Sequence, residues 1–243
     1  MKVKEYIDER IPKGVLHMTL LDPAKQDPEE AGRIAKQAQS FGSDAIMVGG
    51  STDVTQKNLD ETVLAIKKMC SLPVIYFPSG AHAISPYCDA IYFMSMLNSR
   101  NVKMVIGEQV AGSLIIKKIN LEPIAMGYII VAPGMKVGEV GQADPIPRDD
   151  LKLASAYALA AEYMGMKLVY LEAGSGAPEP VSSEMIAAVK KTISVPLIIG
   201  GGIRKPEQAL AVKRAGANII VTGTIAENDD LSSLAAIIKA IKG

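Results

Sequence analysis

Pro196-Leu197-Ile198-Ile199-Gly200-Gly201-Gly202-Ile203-Arg204, followed by Val221-Thr222-Gly223-Thr224, decides the fold. Each piece reads as a buried apolar strand that ends in glycine just before a helix. Glycine permits positive φ and lets a ligand come close to main-chain N–H groups. Unpaired N–H groups at a helix start, backed by the helix dipole, form an anion site. Two such turns near the C-terminus, about twenty residues apart, match the phosphate site after strands 7 and 8 of a (β/α)8 barrel. The stretch therefore predicts both a barrel and a phosphate-bearing ligand.

The rest of the chain extends this pattern in both directions. Strands are expected at 15–21, 45–48, 73–77, 91–97, 124–131, 167–172, 197–199 and 219–221. Helices are expected at 28–41, 59–70, 105–118, 149–164, 183–193, 206–215 and 231–241. Continuous apolar strands separated by amphipathic helices indicate a parallel sheet covered on its outer face. Eight such units favour a closed α/β barrel over a doubly wound sheet. The expectation is one (β/α)8 TIM barrel over residues 1–243, with no linker or second domain. One unit is irregular: residues 78–89 are too few for a usual parallel crossover and carry two prolines and a glycine. A loop or short extended piece is expected there in place of the helix. An extra helix over Val3–Arg10 would plug the bottom of the barrel.

Composition narrows the partners. Lys and Arg total 26 and Asp and Glu total 26, so the formal net charge is zero, which argues against a nucleic-acid ligand. Cys70 and Cys88 lack metal-type spacing and read as reduced thiols of a cytoplasmic protein. The charged N-terminus MKVKEYIDER lacks an apolar signal core, and no apolar run approaches the roughly 18 residues of a membrane span. Any membrane contact is expected to be peripheral.

Reactive groups of a barrel sit where strands end at the C-terminal face. Asp22 closes Leu20-Leu21-Asp22-Pro23, and its carboxylate suits a hard cation such as Mg²⁺. The rival reading is a helix N-cap, but Asp27 before Pro28 is the better cap. Ser51 follows Gly49-Gly50, where its hydroxyl serves either that cation or a phosphate, or simply a turn. Glu172 ends the sixth strand in Tyr170-Leu171-Glu172-Ala173-Gly174-Ser175-Gly176, as a general base, a clamp on ligand hydroxyls or a rim salt bridge. Asn98 and the Gly127-Tyr128 pair also stand at strand ends. Mid-strand His17 reads as a hydrogen-bonded core residue, and His82 in the irregular loop has no assigned role. Met94 and Met96 suit a flexible apolar channel.

Taken together, several of these segments resemble the geranylgeranylglyceryl phosphate synthases, in the longer branch of that family. The segments that carry the resemblance are Thr19–Pro23, Val48–Ser51, Phe77-Pro78, Leu97-Asn98-Ser99-Arg100-Asn101, Tyr128–Val131, Ala158–Tyr163, Tyr170–Gly176 and the two glycine turns, in the family's order and over nearly the whole chain. The resemblance implies a Mg²⁺-dependent prenyltransferase that joins geranylgeranyl diphosphate to sn-glycerol 1-phosphate and releases pyrophosphate, the first committed step of archaeal ether-lipid synthesis. It implies that Asp22 and Ser51 hold the metal. Tyr170, Leu171, Glu172, Ala173, Gly174, Ser175, Gly176, Gly201, Gly202, Gly223 and Thr224 would hold glycerol phosphate, with Glu172 and Tyr170 at the chemistry. A homodimer or higher homo-oligomer is implied as well. Some relatives form hexamers through an aromatic anchor after the fifth strand, but residues 133–147 contain no aromatic here, which favours the dimer. The alternatives are another phosphate-binding TIM-barrel synthase or isomerase, or a non-catalytic barrel that binds a phosphorylated metabolite.

Overall fold

The computed structural model describes residues 1–227 and 231–243. In chain order its elements are α1 (Val3–Arg10), β1 (Leu16–Leu21), α2 (Pro28–Phe41), β2 (Ala45–Val48), α3 (Gln56–Met69), β3 (Val74–Tyr76) and β4 (Ala90–Met96). Then come α4 (Glu108–Lys118), β5 (Glu122–Ile130), α5 (Met135–Val140), α6 (Leu151–Tyr163), β6 (Leu168–Glu172), α7 (Ser183–Thr192), β7 (Leu197–Gly200), α8 (Pro206–Arg214), β8 (Ile219–Thr222) and α9 (Ser232–Lys242). The strands pair in sequence order, all parallel, and β8 closes on β1 with Leu16 opposite Ile219. The protein is a (β/α)8 barrel.

Strand alternation sorts the apolar side chains into two layers. Met18, Met47, Ile75, Tyr92, Met126 and Ile198 fill the barrel interior. Leu21, Val48, Val74, Ile129, Leu171 and Ile199 face the surrounding helices. Val3 and Ile7 of α1 join the interior layer, so α1 closes the barrel floor as expected. The Glu122 carboxylate accepts the Val3 and Lys4 N–H groups at 2.6 and 3.0 Å, which satisfies the open start of α1 and favours negative charge there.

Residues 78–89 contain no helix or strand, and β3 pairs with β4 through only two residue pairs. The barrel wall stays closed there, but its outer helical layer is missing on that side. Three local readings needed adjustment. Helix α3 starts at Gln56, ahead of 59, because Thr55 and Asn58 cap each other reciprocally at 3.1 and 2.8 Å. The expected helix at 105–118 opens with a π-helical turn, Lys103–Gly107, before α4. The segment 133–147, read as a plain loop, contains α5. Asp27 does cap α2, accepting from the Glu30 N–H at 2.9 Å with Pro28 in the first helical position.

Candidate active site

A cleft of about 350 Å³ runs across the C-terminal face of the barrel, within the size range of small-molecule sites. One end is polar and lies over β1, β2 and β6–β8. The other is an apolar arm on the β3–β4 side, beside the helix-less segment, lined by Ile84, Ile91, Phe93, Met94, Met96 and Ile116. Val137 and Val140 of α5 cover it from the side.

At the polar end, Asp22 lies beyond β1 and accepts the Ala24 N–H at 3.0 Å. Its carboxyl carbon would stand 2.6 Å from a Cβ at Gly50, so the glycine is what lets the carboxylate lie against the end of β2. Ser51 follows on the same rim, and Lys25 lines it too. Across the cleft Gly201 and Gly202 hold φ of 83° and 73°, in the left-handed region that other residues avoid. Cβ atoms there would meet Glu172 and Gly174 in one case and the Glu179 backbone in the other. The Ser175 and Thr224 hydroxyls are 3.0 Å apart, and Arg204 Nη2 donates to the Gly176 carbonyl at 2.6 Å. These contacts join the turn after β6 to the glycine turns after β7 and β8 into one cup.

Glu172 stands where cup and arm meet. Its side chain is buried, and Oε1 accepts the Gly174 N–H at 2.7 Å. Burial pushes its pKa above the ordinary carboxylate value, against the opposing pull of the Gly174 N–H and of the nearby Tyr170 and Tyr128 hydroxyls. Both tyrosines are pushed well up, first by burial and then by the neighbouring carboxylate, so they remain proton donors. The carboxylate has about four acceptor positions and one of them is taken by the Gly174 N–H, which leaves room for a ligand hydroxyl. Tyr128 and Tyr170 pair across β5 and β6, which puts both rings on the inner face. Phe77 stacks on Tyr170 at 5.7 Å between centroids and meets Tyr92 and Tyr128 edge-on at 6.1 and 5.4 Å, making a rigid aromatic floor.

The cleft brings together Asp22, Ser51, Tyr170, Glu172, Ser175, Gly176, Gly201, Gly202, Gly223 and Thr224. Three of the expected ligand contacts lie elsewhere. Leu171 and Ala173 pack in the outer layer, because strand alternation turns them away from the barrel interior. Gly174 commits its N–H to Glu172. No ion pair holds Glu172 among the described residues; the Gly174 N–H does so instead. In the sequence Tyr128 is a strand-end residue and part of the Tyr128–Val131 segment of the resemblance, with no site role attached. Its chemical partner was unreadable, although its β5 position opposite the sixth strand was the available signal.

His17 is fully buried, with Nδ1 3.1 Å from the Ser43 hydroxyl and Nε2 2.9 Å from that of Thr222. Burial, helped by Lys242, lowers its pKa to about 3, so it is a neutral structural residue at physiological pH. His82 Nε2 donates to the Val54 carbonyl at 3.0 Å. Asn98 bonds the Ile130 and Asp144 carbonyls, both at 2.8 Å, and Ser99 bonds that of Gly141 at 2.6 Å. The Leu97–Asn101 segment thus buttresses the loop carrying α5 and does not line the cleft. Cys70 and Cys88 are free and buried.

Among the described residues no three His, Cys, Asp or Glu side chains form a metal cluster. Asp22 with Ser51 nevertheless suits Mg²⁺, which keeps several waters and is commonly bound by one or two carboxylates plus substrate phosphates. The Gly50 cradle, which holds the carboxylate at the rim of the cleft, is the structural observation that fits.

The PcrB family model matches residues 5–242. A geranylgeranylglyceryl phosphate synthase of Thermococcus gammatolerans is 57% identical over 226 residues, 93% of this chain and 90% of the relative. The crystal structure of (S)-3-O-geranylgeranylglyceryl phosphate synthase from Thermoplasma acidophilum, in complex with its substrate sn-glycerol-1-phosphate, superposes with a TM-score of 0.97 at 48% identity, covering 100% of this chain and 99% of that one. A thiamine phosphate pyrophosphorylase from Pyrococcus furiosus shares the fold alone, with a TM-score of 0.61 at 14% identity over 94% of this chain and 96% of that one.

Proposed function

The chain belongs to the PcrB family, and from that premise we propose that it is a prenyltransferase joining sn-glycerol 1-phosphate to geranylgeranyl diphosphate, with release of pyrophosphate. One observation carries the reading. The buried carboxylate of Glu172 lies at the junction of a polar cup built for a small anion and an apolar arm built for a hydrocarbon chain. A barrel that isomerises or only binds a phosphorylated metabolite has no use for that arm.

The phosphate of glycerol phosphate binds at the cup of Ser175, Gly176, Gly201, Gly202, Gly223 and Thr224, and its free hydroxyls point towards β6. Glu172 accepts a hydrogen bond from the attacking hydroxyl at an open acceptor position. Tyr128 and Tyr170 fix the carboxylate's orientation, which pre-organises the encounter. As the new C–O ether bond forms at C1 of the prenyl chain, the C1–diphosphate oxygen bond breaks, the proton passes to Glu172 and pyrophosphate departs. The aromatic floor and the apolar arm keep water from the reacting carbon. Asp22 and Ser51 would hold Mg²⁺. When bound, the ion neutralises charge on the leaving diphosphate.

We place the protein in the cytoplasm with at most peripheral membrane contact. Among the described residues no helix is long and apolar enough to cross a membrane. A homodimer is supported by the apolar side chains that α4 and the end of α6 leave in solvent, including Val110, Leu114, Tyr163 and Met164. Mass spectrometry of the products from sn-glycerol 1-phosphate and prenyl diphosphates of several lengths tests the activity. The expected product is a prenylglyceryl phosphate with Mg²⁺-dependent pyrophosphate release; its absence refutes the reading.

A further inference from the structure

The missing helix at residues 78–89 poses a mechanical problem. A segment without helix or strand forms one side of the apolar arm through Gly80, Ala81 and Ile84, and α4 forms the other through Gln109, Gly112 and Ile116. The width between them has to be held by something other than backbone ladders.

On the α3 side the segment is pinned by Gln56, whose amide exchanges two hydrogen bonds with the Ile84 backbone at 2.9 and 3.2 Å. On the α4 side it is pinned by Glu108. Glu108 Oε2 accepts the Ala81 N–H at 2.6 Å across 27 residues of chain, while Oε1 pairs with Lys103 Nζ at 3.0 Å. The π-helical turn makes the second contact possible. Its i→i+5 bonding, with the Glu108 N–H donating to the Lys103 carbonyl, brings residues five apart onto one side, where an α-helix would splay them by more than a third of a turn. The two walls already touch below this point, since a Cβ at Gly112 would lie 3.3 Å from Ile84 and 3.7 Å from Ala81. Glu108 itself lines the cleft, mostly covered, with 18% of its side chain exposed.

We propose that Glu108 is a specificity-determining positioning residue that latches the helix-less segment to α4 and so sets the width of the arm that receives the prenyl tail. This deepens the prenyltransferase reading and rests on it. Glu108 lies on the tail side of the cleft, and the glycerol phosphate cup is built from β6–β8. The latch therefore governs selection of one substrate and not the other.

The test is steady-state kinetics of Glu108→Ala, Glu108→Gln and Lys103→Met, with geranyl, farnesyl and geranylgeranyl diphosphates in turn and glycerol phosphate varied separately. Losing a charge-assisted hydrogen bond at its low end corresponds to about tenfold, so Glu108→Ala should raise KM for the preferred prenyl diphosphate by about that factor and flatten the preference among tail lengths. The KM for glycerol phosphate should stay within about twofold, inside the ordinary effect of a distant substitution. Glu108→Gln keeps an acceptor for the Ala81 N–H and should restore most of the prenyl KM. Lys103→Met, which leaves that acceptor in place, should fall between the two. Equal rises in both KM values, or an unchanged length preference in Glu108→Ala, would overturn the latch. Absence of prenyl transfer by the unaltered protein would instead overturn the activity on which it rests, so the two failures are distinguishable.

Discussion

Replacing Glu172 by glutamine tests the chemistry most directly. The amide preserves volume and an acceptor for the Gly174 N–H, and the Tyr128 and Tyr170 hydroxyls can reorient around it. What disappears is the ability to take a proton. Removing a general base costs a factor of about 10²–10⁴, which at about 1.4 kcal/mol per decade is about 3–5 kcal/mol of transition-state stabilisation. The loss should fall on kcat, measured by pyrophosphate release. Glycerol phosphate affinity, measured by calorimetry, should change little because the cup is intact. The pH profile gives a second reading. Burial raises the Glu172 pKa, and the base must be deprotonated, so activity should fall on the acid side at a pH above the ordinary carboxylate range. That acid limb should vanish from the residual activity of the variant. The same raised pKa means that folding favours the neutral form over the ionised one, so the neutral glutamine should not lower the melting temperature near pH 7. Full activity in Glu172→Gln would refute the base assignment, and loss of activity with a large fall in melting temperature would mean that only folding had been tested.

Other outcomes follow from the rest of the site. Asp22→Asn should nearly abolish turnover with the fold intact; near-normal Mg²⁺-dependent activity would remove Asp22 as a ligand. Gly50→Ala should mimic it in part, because the new methyl falls on the Asp22 carboxylate, and titration should show an increased Mg²⁺ requirement without a matching loss of thermal stability. Gly223 has ordinary φ, and a Cβ there would meet only Leu20 at 3.4 Å, so Gly223→Ala should fold normally. Gly223→Val should raise the KM for glycerol phosphate; an unchanged KM would place the phosphate elsewhere. His17 stays neutral in the fold to about pH 3, whereas an unfolded histidine protonates near 6.5. The unfolded chain therefore binds the extra proton between these values, and stability should fall with decreasing pH by about 1.4 kcal/mol per unit within that window. Urea unfolding of His17→Gln should show a shallower acid slope.

Much of the architecture was legible in the chain because its signals are local. The bounds of α2 and β2 follow from capping and apolar periodicity, and the missing helix follows from counting the residues between two strands. The glycine turn after β7 is legible because glycine readily accepts the φ of residues 201 and 202. Asp22 and Asp27 each precede a proline, so position separates them: Asp22 directly follows the first apolar strand, and Asp27 directly precedes the amphipathic run of α2. The signals that failed were those with a local rule too weak to read. Neither α5 nor the π-helical turn has a distinctive periodicity over so few residues.

What only the tertiary structure decided is which side chains meet. Strand β6 is apolar on both faces, so composition does not say that Tyr170 and Glu172 point inward while Leu171 and Ala173 point out. That phase is set by register against β5 and β7. The union of Tyr128 with Glu172, and of Glu108 with Ala81, joins residues 44 and 27 positions apart, where sequence leaves no periodic trace. The chain by itself determined a barrel with glycine turns after its last two strands and a carboxylate at the end of the sixth. Closure of the barrel determined the pKa of that carboxylate and the width of the arm beside it, because burial and long-range hydrogen bonds exist only once the strands have come round to meet.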